Sequence, residues 1–174
     1  RQMVDGVIAE CGLPLAKAEE AMEMMRIFYN GSRFVLHDTD KRDTDNVANL
    51  YNPILVFYFL QELQEFGRYP DNMLDSNLAP DYHKLVYISN HPAGKALMMH
   101  AINSDAVVTI SGMGDRFGVR EMLQTDKQHD RLASLLCYLG ALTVRGQNAQ
   151  AETVLKIPNL VMRKLYAERI LELA

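Results

Sequence analysis

The chain has 174 residues, with 18 Lys+Arg against 22 Asp+Glu and a formal net charge of −4. At 48% hydrophobic and 23% charged, its composition is that of an ordinary globular domain, which excludes a disordered chain, a collagen-like repeat and a strongly basic nucleic-acid binder. No apolar run approaches the ~20 residues of a membrane-spanning helix, and the length suits one domain or two small ones.

Two helices are predicted over 3–11 and 15–29, around a turn at Gly12, Leu13 and Pro14. In the second, Ala18, Ala21, Met22, Met25, Phe28 and Tyr29 recur at helical spacing, so this methionine-bearing stripe reads as core. Asn30-Gly31 is a turn signal. Short strands are expected at Arg33–Leu36 and Val47–Tyr51, forming a hairpin whose tip, His37–Asn46, is polar throughout. Asn52 then caps a helix over 53–66 that has Pro53 in its first turn and ends at Gly67. This helix is apolar on nearly every side, which predicts a central position.

An irregular link over 68–80 leads to helices at 81–90 and 92–103, the second opened by Pro92. A strand at Val107–Ile110, a turn at Ser111–Gly114 and helices at 115–124 and 127–140 follow, the last closed by Gly140. Strands at Leu142–Arg145 and Thr153–Ile157 flank a loop at Gly146–Glu152, and a final helix at 158–173 starts with Pro158. From residue 92 the order is that of a winged helix, with Gly146–Glu152 as the tip of the wing. The expected fold is mainly α: a helical, lid-like subdomain over 1–90 with the hairpin at 33–51, then a winged-helix-like subdomain over 91–174.

Reaction chemistry is hard to find. Gly112–Gly118 follows a strand but lacks the Lys-Ser/Thr of a phosphate loop and places Asp115 where phosphate would sit. Asp38, Asp40, Asp43 and Asp45 cluster without the central Gly and closing Glu of a calcium loop. His37, His83, His91, His100 and His129 form no pair at the spacing that sets two ligands on one helix face. Cys11 and Cys137 are far apart and fit buried thiols in a reducing cytoplasm. Residues 127–174 carry seven Lys/Arg against four Asp/Glu, and the basic positions open to nucleic acid are Lys127, Arg131, Arg145 and Lys156. Asp130 and Glu152 offset them, so the footprint for phosphate is thin. Leu132, Leu135, Leu136 and Leu139 are expected in the core, leaving Lys127, Gln128, Arg131 and Ser134 as the outward face of helix 127–140.

Three motifs, in order, carry a resemblance. Phe28-Tyr-Asn-Gly-Ser-Arg-Phe34 precedes Leu50-Tyr-Asn-Pro53, and Leu135-Leu-Cys-Tyr-Leu-Gly-Ala-Leu-Thr143 precedes Leu155-Lys-Ile-Pro-Asn159. The chain resembles the AAA-ATPase-like family of bacterial proteins that usually carry a C-terminal PD-(D/E)XK nuclease domain. The resemblance spans most of 15–165. It implies structural roles for Tyr29, Asn30, Gly31, Phe34, Tyr51, Asn52, Pro53, Tyr138, Leu139, Gly140, Pro158 and Asn159. Tyr29 and Phe34 are expected to pack the hairpin base onto helix 53–66. The family's ATP-binding loop lies upstream of this region and its nuclease carboxylates downstream. The resemblance therefore places ATP and Mg only in a parent chain, with no catalytic, cofactor or metal residue here. The chain is read as part of something larger: it opens on Arg1 and ends within an amphipathic pattern. The implied partners are the rest of the parent chain, a docked protein or an oligomer. DNA and a free-standing enzyme with an unrecognised site stay open as alternatives.

Overall fold

A computed structural model of the chain describes residues 1–14, 16–33, 49–74, 82–103, 106–115, 117 and 128–173. Among these are seven helices and three strands. They are α1 (Gln2–Glu10), α2 (Ala16–Tyr29), α3 (Pro53–Phe66), α4 (Tyr82–Asn90), α5 (Pro92–Ile102), β1 (Val108–Ile110), α6 (Gln128–Tyr138), β2 (Thr143–Gln147), β3 (Thr153–Lys156) and α7 (Leu160–Glu172). Of the helix expected at 115–124 only Asp115 and Phe117 are described, and neither is helical; the rest of it, the hairpin loop at 37–46, Phe34 and Lys127 lie outside the described residues.

Local signals place α3 where the sequence predicts it. The Asn52 side chain accepts hydrogen bonds from the N–H groups of Ile54 and Leu55, at 3.1 and 3.3 Å, and Gly67 closes the helix in the left-handed conformation. The start of α7 differs from expectation. Pro158 stands outside the helix, and Asn159 is the cap, its Oδ1 accepting from Met162 N–H at 3.1 Å. Pro158 is held elsewhere, against Gly31. The β2 strand also runs further than expected, to Gln147, because a bulge between Val144 and Gly146 absorbs Arg145.

One contiguous cluster of buried side chains runs from Val4 to Tyr166. Helices α1, α2 and α3 pack on one another, and α7 packs on α2, α4 and α5, so the last helix ties the first half of the chain to the second. Helix α3 departs from its expected central role. Leu55, Phe59, Leu60 and Leu63 are buried, but Ile54, Phe57 and Phe66 are exposed. Among the described residues, the neighbours of α3 leave these three side chains open to solvent. Cys137 is buried as expected, whereas Cys11 is half-buried, its Sγ 3.7 Å from Leu63 O.

The sheet is antiparallel in the order β1-β3-β2, and contacts are made along both outer strands. Along β2, Arg33 N–H donates to Thr143 Oγ1 at 2.6 Å, while Thr143 Oγ1–H and Val144 N–H donate to Arg33 O at 3.1 and 3.4 Å. Along β1, the ring nitrogens of His100 and His129 donate to Val107 O and Thr109 O, and Ser111 N–H donates to Asp130 at 3.0 Å.

Candidate functional site

The first motif ends α2 and turns the chain toward the sheet. Tyr29 is fully buried and meets Phe59 edge to face, with centroids 6.1 Å apart, so it packs onto α3 as expected. Burial raises its phenol pKa far above the ordinary value. Gly31 then takes φ +112°, and a Cβ there would lie 2.2 Å from Pro158 O. Glycine is needed at this point twice over, for the dihedral and for the close approach. Ser32 and Leu50 form an antiparallel bridge, which is the described base of the expected hairpin. Asn52 N–H donates to Tyr29 O at 3.0 Å, joining the first motif to the second.

The third motif arrives from the far end of the chain. Gly140 ends α6 with φ +71°, and Ala141 N–H donates to Leu136 O at 2.8 Å. Tyr138, Leu139, Gly140, Asn159 and Met162 then line one cleft of about 260 Å³ with Ser32, Tyr51, Asn52, Pro53 and Leu55. Residues separated by more than a hundred positions in sequence therefore meet in one place. Among the described residues the lining holds no carboxylate, imidazole, amine or thiol. Its two asparagines cap α3 and α7, so their carbonyl oxygens already accept backbone hydrogen bonds. Tyr138 stands at the rim, edge to face with Phe117 at 5.2 Å.

The basic positions are not brought together in the same way. Arg131 borders the turn at Ser111–Gly114, beside the Thr153 end of β3. Lys156 sits at the other end of β3, opposite Thr143, and Arg145 is exposed in the bulge of β2. The outward face expected for α6 needs correction. Ser134 is fully buried, its Oγ accepting from Gly114 N–H at 2.9 Å and donating to Asp130 O at 2.6 Å. Leu132 and Leu136 are buried as expected, whereas Leu135 and Leu139 are half-buried against the core. The cause is that α6 is gripped from two directions, by α5 and by β1 with its following turn.

Sequence reasoning missed Ser32, Leu55 and Met162 as cleft residues and Thr143 as the anchor of Arg33. Nothing local marks Thr143, whose partner lies 110 residues away. Among the described residues no group of three or more His, Cys, Asp or Glu side chains is placed to hold a metal ion. No described helix is long and apolar enough to cross a membrane. Compared with protein-family models, curated proteins and solved structures, the chain matches none.

Proposed function

We propose that the chain is a non-catalytic module, part helical and part winged helix, of an AAA-ATPase-like protein, and that it relays nucleotide state or docks partners. The observation that carries this reading is the convergence of the three motifs on one cleft whose lining holds structural rather than reactive groups. Gly31 abuts Pro158, Asn52 N–H bonds to Tyr29 O, and Arg33 is zipped onto Thr143. These contacts tie the helices to the sheet. In the proposed relay, a displacement applied at α1–α3 would reach the sheet through them, because packed interiors transmit strain. The strand order β1-β3-β2, with a short turn between β2 and β3, supports the winged-helix part of the reading.

DNA binding is the second reading, and the exposed Arg145 near Lys156 is what favours it. Against it, α6 buries Ala133, Ser134, Leu136 and Cys137, which leaves little side-chain surface to reach base edges.

Calorimetry of the purified chain against Mg–ATP tests the non-catalytic assignment. No binding heat is expected, and micromolar binding would overturn it. The coding sequence upstream of Arg1 tests the parentage: a strand followed by Gly-x-x-x-x-Gly-Lys-Ser/Thr is expected there, since that loop supplies the backbone N–H groups and ammonium that hold phosphates.

A further inference from the structure

Only one asparagine in the chain precedes a glycine, Asn30. Its hydrogen bond also differs in kind from those of the other asparagines. Asn52, Asn148 and Asn159 accept from N–H groups two to four residues ahead. Asn30 Oδ1 accepts from the very next N–H, that of Gly31, at 2.8 Å. Among the described residues Gly31 N–H has no other acceptor, and the Asn30 amide nitrogen donates to nothing. The side-chain carbonyl is therefore folded over the one backbone nitrogen that can close a five-membered ring with it.

We propose that Asn30-Gly31 is a self-modification site, where the chain loses the Asn30 side-chain amide as ammonia and takes up water. Gly31 N attacks Asn30 Cγ. The N–Cγ bond forms, the Cγ–Nδ2 bond breaks, and Nδ2 leaves as ammonia with the Gly31 amide proton. Water then opens the cyclic imide at either carbonyl, giving aspartate or a side-chain-linked isoaspartate. Three features of the site favour the first step. The hydrogen bond holds the reacting groups close to a near-attack arrangement. Glycine has no Cβ to block the approach. Asn30 is only half-buried, so water reaches it although Gly31 is buried. Either product disturbs the contact between the motifs. Aspartate puts a carboxylate at the C-terminal end of α2, where the helix dipole is already negative. Isoaspartate adds a methylene to the main chain between Tyr29, whose carbonyl accepts from Asn52 N–H at 3.0 Å, and Gly31, which has no room beside Pro158 O. The proposal goes beyond the docking reading and can fail while that reading stands, because it is measured by mass and not by nucleotide binding.

The test is peptide mapping by mass spectrometry of the whole chain, stored folded for weeks in neutral buffer beside a copy kept unfolded in guanidinium. Unfolding removes the geometry and leaves the dipeptide, so the unfolded copy gives the rate set by sequence alone. Asn30 is expected to gain the mass of an amide-to-acid conversion in the folded chain, at a rate within about tenfold of the unfolded copy. It should convert ahead of Asn52, Asn148 and Asn159, whose side chains are turned to other N–H groups. The stored chain should also unfold at a lower urea concentration than fresh chain. Asn30→Gln lengthens the side chain by a methylene and disfavours the five-membered ring, so conversion at this position should stop and the urea midpoint should hold over the same weeks. A folded chain that converts at Asn30 more than about tenfold more slowly than the unfolded copy overturns the proposal, because the fold then shields the dipeptide instead of poising it. Undiminished conversion at this position in Asn30→Gln overturns it as well.

Discussion

Gly31 and Tyr166 show how much single residues decide here. At Gly31 a methyl group meets both an unfavourable dihedral and the Pro158 carbonyl, a backbone atom that cannot swing aside. Gly31→Ala should therefore cost roughly 2–4 kcal/mol in urea unfolding. Gly140 makes the control, since its φ is +71° but its Cβ position is open. Gly140→Ala should cost only the left-handed backbone term of roughly 1–2 kcal/mol. Tyr166 is the opposite case. Its ring is fully buried, and its hydroxyl has no hydrogen-bond partner among the described residues. Tyr166→Phe should leave stability unchanged or raise it by up to about 1 kcal/mol, where the same change at a paired tyrosine loses about that much. Burial also gives the fold an alkaline limit. It pushes the Cys137 thiol from its ordinary 9.0 up to about 11, and it raises Tyr29 and Tyr166 above the ordinary phenol value. A raised folded pKa means that the unfolded chain releases its proton first. The contribution of Cys137 is therefore complete below pH ~9 and is lost as pH rises from there to about 11. Urea midpoints measured at pH 7, 9 and 10.5 should hold between the first two and fall at the third. In Cys137→Ala the fall should begin nearer pH 10, where the phenols take over.

At the scale of the element, α6 and α7 define the joint. Leu136 is fully buried in α6 and Leu135 is half-buried. Leu136→Ala should cost roughly 2–5 kcal/mol, and Leu135→Ala less, because less surface and a smaller cavity are at stake. Equal costs would mean that α6 is seated differently from the packing described here. For α7, the Asn159 carbonyl is the cap, so Asn159→Ala should cost about 1 kcal/mol, and Asn159→Asp should retain most of the stability. Helix α3 is instructive for a different reason. Its capping residues and its end agree with the sequence reading to the residue, while its expected burial does not. Caps act within four residues along the chain. Burial depends on which neighbours the rest of the chain supplies, and an all-round apolar composition does not say which side will be left bare.

Across the whole molecule the question is what the sheet and α6 meet. A winged helix that reads DNA needs an open recognition face and a basic wing. In this chain Asp130 is bonded to Ser111, Ser134 is buried, and Arg131 lies at the opposite end of β3 from Lys156. Titration against duplex DNA at ~50 and ~200 mM salt should show weak binding and a shallow salt slope. A contact with six phosphates would lose roughly a thousandfold over that range. Submicromolar binding that collapses with salt and is abolished by Arg145→Ala with Lys156→Ala would promote the DNA reading over docking.

Much of the fold was legible from local patterns. Asn52-Pro53 and Gly67 bound α3, and Pro92 opens α5. Of the stripe expected on α2, Ala18, Ala21, Met25 and Tyr29 are buried, while Met22 and Phe28 are half-buried against the core. These features rest on hydrogen bonds, dihedrals and periodicities that act within a few residues, so one chain suffices to read them. The motifs at Asn30-Gly31, Asn52-Pro53, Gly140 and Pro158-Asn159 were likewise visible as turns and helix boundaries. Their meeting in one cleft was not. It depends on contacts such as Gly31 against Pro158 and Arg33 on Thr143, made between segments more than a hundred residues apart. The same holds for the burial of Ser134, the unpartnered hydroxyl of Tyr166 and the bare face of α3. Each is decided by how already-formed elements pack, and packing depends on the shape of surfaces that no local stretch of sequence contains.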